Sequence, residues 1–426
     1  MNGAPLWRPL VDGALREQTL QAAQALARAL EDVLPHRAPD ASLASGDTGL
    51  ALLFTWLDRV QPSEHHAALA RGLLDDAMEA VASRPMGMAL HSGVSGVAWA
   101  VEHLHGGGAE EEGDALEDVD AALAQRLAMS PWTAPQDLIA GLVGLGVYAL
   151  ERLPRADARR CLEDVVARLS ESAETRPEGL TWKTLPRWLP EAQQREQPEG
   201  RYDLGVAHGV PGIIVVLAGA VRAGVAEPEA RRLLRGAWSW VMAQRLPHVG
   251  RRFPHAVIPG QTPKPTRAAW CYGDPGVALA LFTAARAVRE PDWEAEALEL
   301  AREATRCPME DSGVKDAPLC HGASGLLHIY NRFYQATGEE VFASTARQWL
   351  EHTLRQRQPE RGLGGYAFWS QDDQGAPSWV ARPGLLEGTA GIALALLAAA
   401  SSVEPSWDRV LLMSLRDVAP ETGAKS

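Results

Sequence analysis

Two cysteines and a histidine stand where they can share a metal ion. The stretch from Arg267 to Gly276 sets Cys271 just ahead of a Gly-x-x-Gly turn (Gly273 and Gly276), and the apolar run Val277 to Phe282 follows, so the thiol belongs at the mouth of a helix. About fifty residues on, Leu319-Cys320-His321-Gly322-Ala323-Ser324-Gly325 repeats the device with an imidazole beside the thiol. If repeats of one fold bring the two turns together, two thiolates and an imidazole converge, a three-ligand set for zinc with the fourth tetrahedral position left open. A closed structural zinc site, or two buried and inert cysteines, would carry the same residues.

The elements that must position this set are written as a repeat. Gly-x-x-Gly followed by an apolar helix start occurs at Gly46/Gly49, Gly93/Gly96, Gly141/Gly144, Gly209/Gly212, Gly273/Gly276, Gly322/Gly325 and Gly388/Gly391. The runs that follow, such as Leu50 to Leu57, Ile213 to Leu217 and Ile392 to Leu397, are apolar on nearly every side, which predicts helices buried all round. Between the turns lie amphipathic stretches at Leu15 to Leu34, Ala67 to Ala82, Val119 to Met129, Ala156 to Ser172, Glu227 to Arg245, Trp293 to Arg306 and Val341 to Arg355. Their apolar residues recur at helical spacing, as in outer helices that cover an inner ring. The predicted fold is therefore all-α, an α/α toroid of seven inner and seven outer helices spanning 1–426 as one domain. An excursion around 171–202, rich in Pro, Glu and Gln with Trp182 and Trp188, interrupts the spacing and reads either as a substrate-contacting insertion or as a surface loop.

A shared register aims the residue before each first glycine at one mouth of the ring. Those residues are Ser45, Ser92, Ala140, His208, Tyr272, His321 and Glu387, and one position further back stand Ala44, His91, Ile139, Ala207, Cys271, Cys320 and Leu386. Chemically capable side chains gather in the fourth to sixth repeats, with His91 and Glu387 as outliers.

Composition narrows the classes. The 426 residues are 46% hydrophobic and 22% charged with a net charge of −13, and no basic stripe supports nucleic-acid binding. Four cysteines in so long a chain are not a disulfide framework, and the first eight residues lack the basic and apolar regions of a signal peptide, so a reducing cytoplasm is the expected location. No apolar run reaches membrane-spanning length. Cys161 and Cys307 read as packing and loop residues. His103 and His105, with Gly106 to Gly108 and the acids after them, read as a solvated connection sooner than a metal site, and the tail from Ser401 shows no motif.

The set Ala207-His208-Gly209, Trp270-Cys271-Tyr272-Gly273, Cys320-His321-Gly322 and Leu386-Glu387-Gly388-Thr389-Ala390-Gly391 resembles the lanthionine synthetase C family, the LanC cyclases, and the seven repeats match it along almost the whole chain. The resemblance implies a toroid with Zn2+ at its mouth that closes lanthionine and methyllanthionine thioether rings in a dehydrated precursor peptide. It implies a stand-alone cyclase as well, with a separate dehydratase and a transporter as further partners. Two other readings use the same site: addition of a free thiol such as glutathione to dehydrated residues, and a zinc-binding scaffold or sensor without catalysis.

The implied chemistry matches what the motifs offer. A peptide cysteine, whose thiol has an ordinary pKa of about 8.5, must add to the β-carbon of dehydroalanine or dehydrobutyrine, and metal coordination deprotonates a thiol. The enolate that results needs a positive or hydrogen-bonding partner and then a proton at its α-carbon. His208 is the expected acid or base. Matched to the family pattern, Arg267 stabilises the enolate and Asp137 orients or deprotonates, while Trp270 and Tyr272 shape the substrate pocket. As ordinary structural residues, His208 would be a satisfied turn histidine, Asp137 a charge near a helix N-terminus, and Arg267 a surface group of the loop that begins near Pro247.

Overall fold

In each repeat the inner helix begins one residue after the first glycine. The computed structural model describes residues 7–105, 114–248, 250–371 and 376–415. The glycine-rich and acidic stretch after His105, the first six residues and the end of the tail lie outside the described residues. In chain order come α1 (Gly13–Val33), α2 (Asp47–Val60), α3 (Glu64–Ser83), α4 (Val94–His105) and α5 (Glu117–Leu127). Then follow α6 (Leu142–Arg152), α7 (Ala156–Ser172), the short α8 (Glu191–Glu196), α9 (Val210–Arg222) and α10 (Glu227–Ala243). The last are α11 (Asp274–Val288), α12 (Pro291–Ala304), α13 (Ala323–Thr337), α14 (Glu340–Gln356) and α15 (Thr389–Ala400). Inner helices α2, α4, α6, α9, α11, α13 and α15 alternate with outer helices α1, α3, α5, α7, α10, α12 and α14, which is the expected toroid.

Sequence pattern explains both layers. Every residue of α15 is buried, as is α9 from Val210 to Val221, whereas α7 buries only Ala158, Cys161, Leu162, Val165, Val166 and Leu169. That spacing is one stripe of a helix, so α7 covers the ring and faces water with its other side. The second glycine of each turn answers a steric demand. A Cβ on Gly276 would lie 2.2 Å from the carbonyl oxygen of Trp270, and one on Gly325 would lie 2.1 Å from that of Leu319. In all seven repeats the clash is with the carbonyl six residues earlier, because the loop folds back over the helix it opens.

A belt of backbone hydrogen bonds runs around the mouth and accounts for the shared register. Ala44 N donates to His91 O (2.9 Å), Leu138 N to Ala207 O (3.1 Å), Ala207 N to Cys271 O (3.5 Å) and Cys271 N to Cys320 O (3.2 Å). Cys320 N donates to Leu386 O (3.0 Å), and Leu386 N returns to Ala44 O (3.0 Å). All neighbouring turns except the second and third are thereby joined backbone to backbone. The ring closes where α1 packs on α15, with Leu10 N to Ala399 O, Trp7 Nε1 to Ala398 O and Arg16 Nε to Ala400 O each at 2.8 Å.

The opposite end of the bore is filled. The 3-10 segment Ser406–Leu411, in a tail whose sequence carries no motif, reaches four inner helices. His328 of α13 stacks on Trp407 at 4.8 Å, Trp56 of α2 donates to Glu404 O, His103 of α4 bonds Ser406, and Arg409 bonds Glu151 of α6. His103 is thus an interior residue, stacked on Trp99 at 4.5 Å and bonded to Glu151 at 2.9 Å, and not part of a solvated connection.

The excursion between α7 and α9 holds the hairpin β1 (Glu174–Arg176) and β2 (Gly179–Thr181), then α8, then β3 (Tyr202–Asp203), which pairs antiparallel with β4 (Ala256–Val257). A second hairpin, β5 (Phe368–Gln371) with β6 (Pro377–Val380), rises before α15. Among the described residues no helix is long and apolar enough to cross a membrane.

Candidate metal centre and active site

The belt places Cys271 beside Cys320, and His321 follows in the same turn. One ligand atom from each of Cys271, Cys320 and His321 lies within 4.8 Å of the other two. Tetrahedral zinc holds two thiolates about 3.8 Å apart, so the donors need only a small contraction, and their soft S, S, N chemistry suits that ion. Both cysteines are buried. The hydrogen bond from Cys320, opposed by burial and helped by the Arg267 and His321 charges, holds the Cys271 thiol below its usual pKa, while the same bond and burial raise Cys320 well above the usual thiol value. Arg267 Nη2 stands 4.0 Å from Cys271 Sγ.

Two carboxylates flank His321. Asp316 Oδ2 is 3.7 Å from Nε2 and Glu387 Oε1 is 3.9 Å from Nδ1, so whichever nitrogen takes a metal, the other has a carboxylate to orient it. Asp316 is buried and accepts from Trp369 N at 2.9 Å, which ties the β5–β6 hairpin to the centre. Glu387, half-exposed, pairs with Arg382. Reading single turns misses Asp316. Its one signal is an acid four residues ahead of the Cys-His pair.

A second cluster adjoins the first. His208 Nδ1 donates to Asp137 Oδ2 at 2.6 Å, and Asp137 Oδ1 accepts from Ala140 N at 2.8 Å, so the carboxylate is held by its own turn and aims at the next repeat. Burial pulls the His208 pKa down, but the Asp137 hydrogen bond and charge, with Asp203 and Cys271 behind them, raise it above the ordinary histidine value. Buried His91 stands near this pair with neither ring nitrogen bonded within the described residues. Desolvation takes it down to about 4 against the Asp137 charge, so it is neutral at pH 7.

Tyr272 and Trp270 part company. Tyr272 stacks near His208 (6.2 Å) and its hydroxyl donates to Asp203 Oδ1 at 3.1 Å; burial and the Asp203 charge keep it a neutral phenol. Trp270 is 1% exposed and its indole donates to Leu411 O at 2.8 Å, so it stands in the packed bore and not on a pocket wall. Asp137, His208 and Tyr272 instead line a cavity of about 430 Å³ with residues of the 171–202 excursion.

A family model described as lanthionine synthetase C-like protein matches residues 38–412. Among solved structures, nisin cyclase superposes with a TM-score of 0.75 at 18% identity, over 92% of this chain and 97% of its own, a likeness of fold. Cellobiose 2-epimerase from Bacillus thermoamylovorans superposes with a TM-score of 0.46 at 11% identity, over 89% of this chain and 98% of its own.

Proposed function

The chain belongs to the lanthionine synthetase C-like family, and from that premise we propose that it is a zinc-dependent cyclase joining peptide cysteines to dehydroalanine or dehydrobutyrine as lanthionine or methyllanthionine. The observation that carries the reading is the convergence of Cys271, Cys320 and His321 within 4.8 Å, beside a histidine–carboxylate pair. These three residues would hold Zn2+, which at an open position supplies a thiolate from the substrate cysteine at neutral pH.

In balance, the sulfur gains a bond to Cβ and loses its proton, the Cα=Cβ bond becomes single, and a proton arrives at Cα. Arg267 supplies positive charge beside the sulfur site, where negative charge passes to the substrate carbonyl. His208, raised in pKa, is the acid for Cα, and its Nε2 makes no hydrogen bond within the described residues. Asp137 positions the ring. Tyr272 stays protonated and bounds the site. The free thiols and the need for a reduced site fit work in the cytoplasm.

The test is incubation with a peptide carrying dehydroalanine and cysteine, followed by thiol alkylation and mass measurement. The expected result is zinc at about one per chain and loss of the alkylatable thiol without change in mass. Cys271→Ala or Cys320→Ala should lose both zinc and ring closure, while Cys161→Ala and Cys307→Ala keep them. Zinc-free protein that cyclises at full rate would overturn the proposal, and, with glutathione supplied, a gain of one glutathione mass with the peptide thiol still alkylatable would redirect it to a free-thiol enzyme.

A further inference from the structure

The cavity beside His208 has walls that the zinc chemistry does not use. Trp182, Trp188, Leu189 and Pro190 from the 171–202 excursion face Val210 and Ile213 of α9 across it, and Asp137, His208 and Tyr272 close the side toward the metal centre. Its volume of about 430 Å³ falls within the ~300–1,000 Å³ of small-ligand sites and suits one bulky side chain with its flanking backbone.

The wall is built in place. Thr184 and Arg201 exchange backbone hydrogen bonds at 2.8 and 3.1 Å, Thr184 Oγ1 donates to Asp203 Oδ2 at 2.7 Å, and Arg187 Nη2 reaches across to Thr133 O at 3.2 Å. Trp182 is anchored from behind by its indole bond to Leu169 O at 2.8 Å. On the other side of the hairpin, Leu180 fills the space left by Gly236 of α10, where a Cβ would come within 2.5 Å. So fixed a wall is not a loose surface excursion.

Charge chooses the occupant. Arg201, the cation at the polar end, has Nε 2.9 Å from Asp203 Oδ1 and Nη1 3.0 Å from Gln193 Oε1. His208 and Asp137 likewise satisfy each other, so the cavity offers an acidic or basic guest no unpaired countercharge. A guest held here also touches the acid that serves the reacting residue.

We propose that this cavity is a specificity subsite of the cyclase: it takes a bulky apolar side chain of the peptide directly adjacent to the dehydrated residue, with Trp188 as its main contact. The inference rests on the cyclase reading above, and the experiment separates the two. Blocked peptides with alanine in place of both the dehydrated residue and the cysteine cannot react. One pair carries phenylalanine or aspartate just before the first alanine, a second pair just after it. Binding to the zinc-loaded protein is measured by calorimetry or ligand-observed NMR.

Phenylalanine should bind at least about tenfold more tightly than aspartate in one of the two pairs, since burying an aromatic side chain in an apolar wall is worth that much or more. Trp188→Ala should reduce the preference to about threefold or less with zinc content and thermal midpoint unchanged, and Trp188→Leu should keep most of it. Equal binding of all four peptides, or an intact preference in Trp188→Ala, overturns the subsite. A protein that discriminates but forms no thioether on the reactive peptide keeps the subsite and loses the cyclase reading. One that forms thioether without discriminating does the reverse.

Discussion

Two histidine–carboxylate pairs of nearly the same length stand at opposite ends of this ring. At the mouth His208 and Asp137 meet at 2.6 Å with side chains 41% and 16% exposed; at the filled end His328 Nε2 and Asp408 Oδ2 meet at 2.7 Å with both at 0%. Their titration runs in opposite directions. His208 is raised because the Asp137 hydrogen bond and charge, with Asp203 and Cys271, outweigh burial, whereas burial lowers His328 further than Asp408 lifts it, with Arg332 adding to the fall. Asp408 itself, which burial alone would raise, is held at about 2 by Arg332 and His328. It accepts from Arg332 Nε at 2.6 Å, from Arg332 Nη2 at 2.9 Å and from Ser414 Oγ at 2.5 Å as well. One pair is a proton held ready near water and the other is a buried tie. The third charge and the solvent decide which, and the hydrogen-bond length does not.

The sharpest way to test that division is to remove each carboxylate. Asp408→Ala takes the close carboxylate from both Arg332 and the fully buried His328, leaving Arg332 only Glu404 Oε1 at 3.6 Å and Pro405 O at 3.1 Å, and should cost about 3–5 kcal/mol of stability in denaturant unfolding. Asp137→Ala, at a half-exposed pair, should stay within about 1 kcal/mol of wild type. Equal losses would erase the distinction.

His208→Asn comes next. Zinc content should hold and the unfolding midpoint should move only slightly while ring closure slows by at least about 10², the usual loss of a general acid. Loss of zinc together with activity would make His208 a ligand or a support, and an unchanged rate would pass the proton to another group.

The smallest effect is one of pH. With the folded pKa of His208 above its unfolded value, the pair adds stability fully at pH below about 6.5, and this is lost as pH rises through the folded pKa. The stability gap between wild type and His208→Asn should therefore narrow from pH 5 to pH 9. In kcat/KM, the limb set by protonated His208 should lie above the ordinary histidine value and move down toward it in Asp137→Asn. A limb that ignores Asp137 would break the assignment.

How much of this was legible in sequence depends on the distance over which each feature is decided. The seven turns were readable because glycine there answers a clash with a carbonyl only six residues away, so the cause and its signature share one short window. The convergence of Cys271, Cys320 and His321 was readable for the same reason, two copies of one local device. Counting positions back from the glycine succeeded for Cys271 and Cys320, since backbone bonds between adjacent turns hold that position in register. Trp270, assigned to the substrate pocket from the family pattern and not from this count, is one residue further back and bonds Leu411 O inside the bore. Asp203, Arg201 and the excursion's wall are assembled across separate loops. The bond from Asp408 to His328 spans 80 residues and begins in a segment with no pattern of its own.

Packing of the first outer helix on the last inner one sets a timetable for synthesis. The buried face of α1, Ala22, Ala23, Leu26, Ala27 and Leu30, finds its cover on α15, which begins at Thr389. At ~5–20 residues per second the ribosome delivers α15 between about 20 and 80 s after α1. For that interval the first helix is an apolar stripe without a partner. The nascent chain should therefore be a client of holding chaperones until α15 emerges, and a ribosome stalled before Thr389 should display a strand of finished repeats whose two ends are both adhesive.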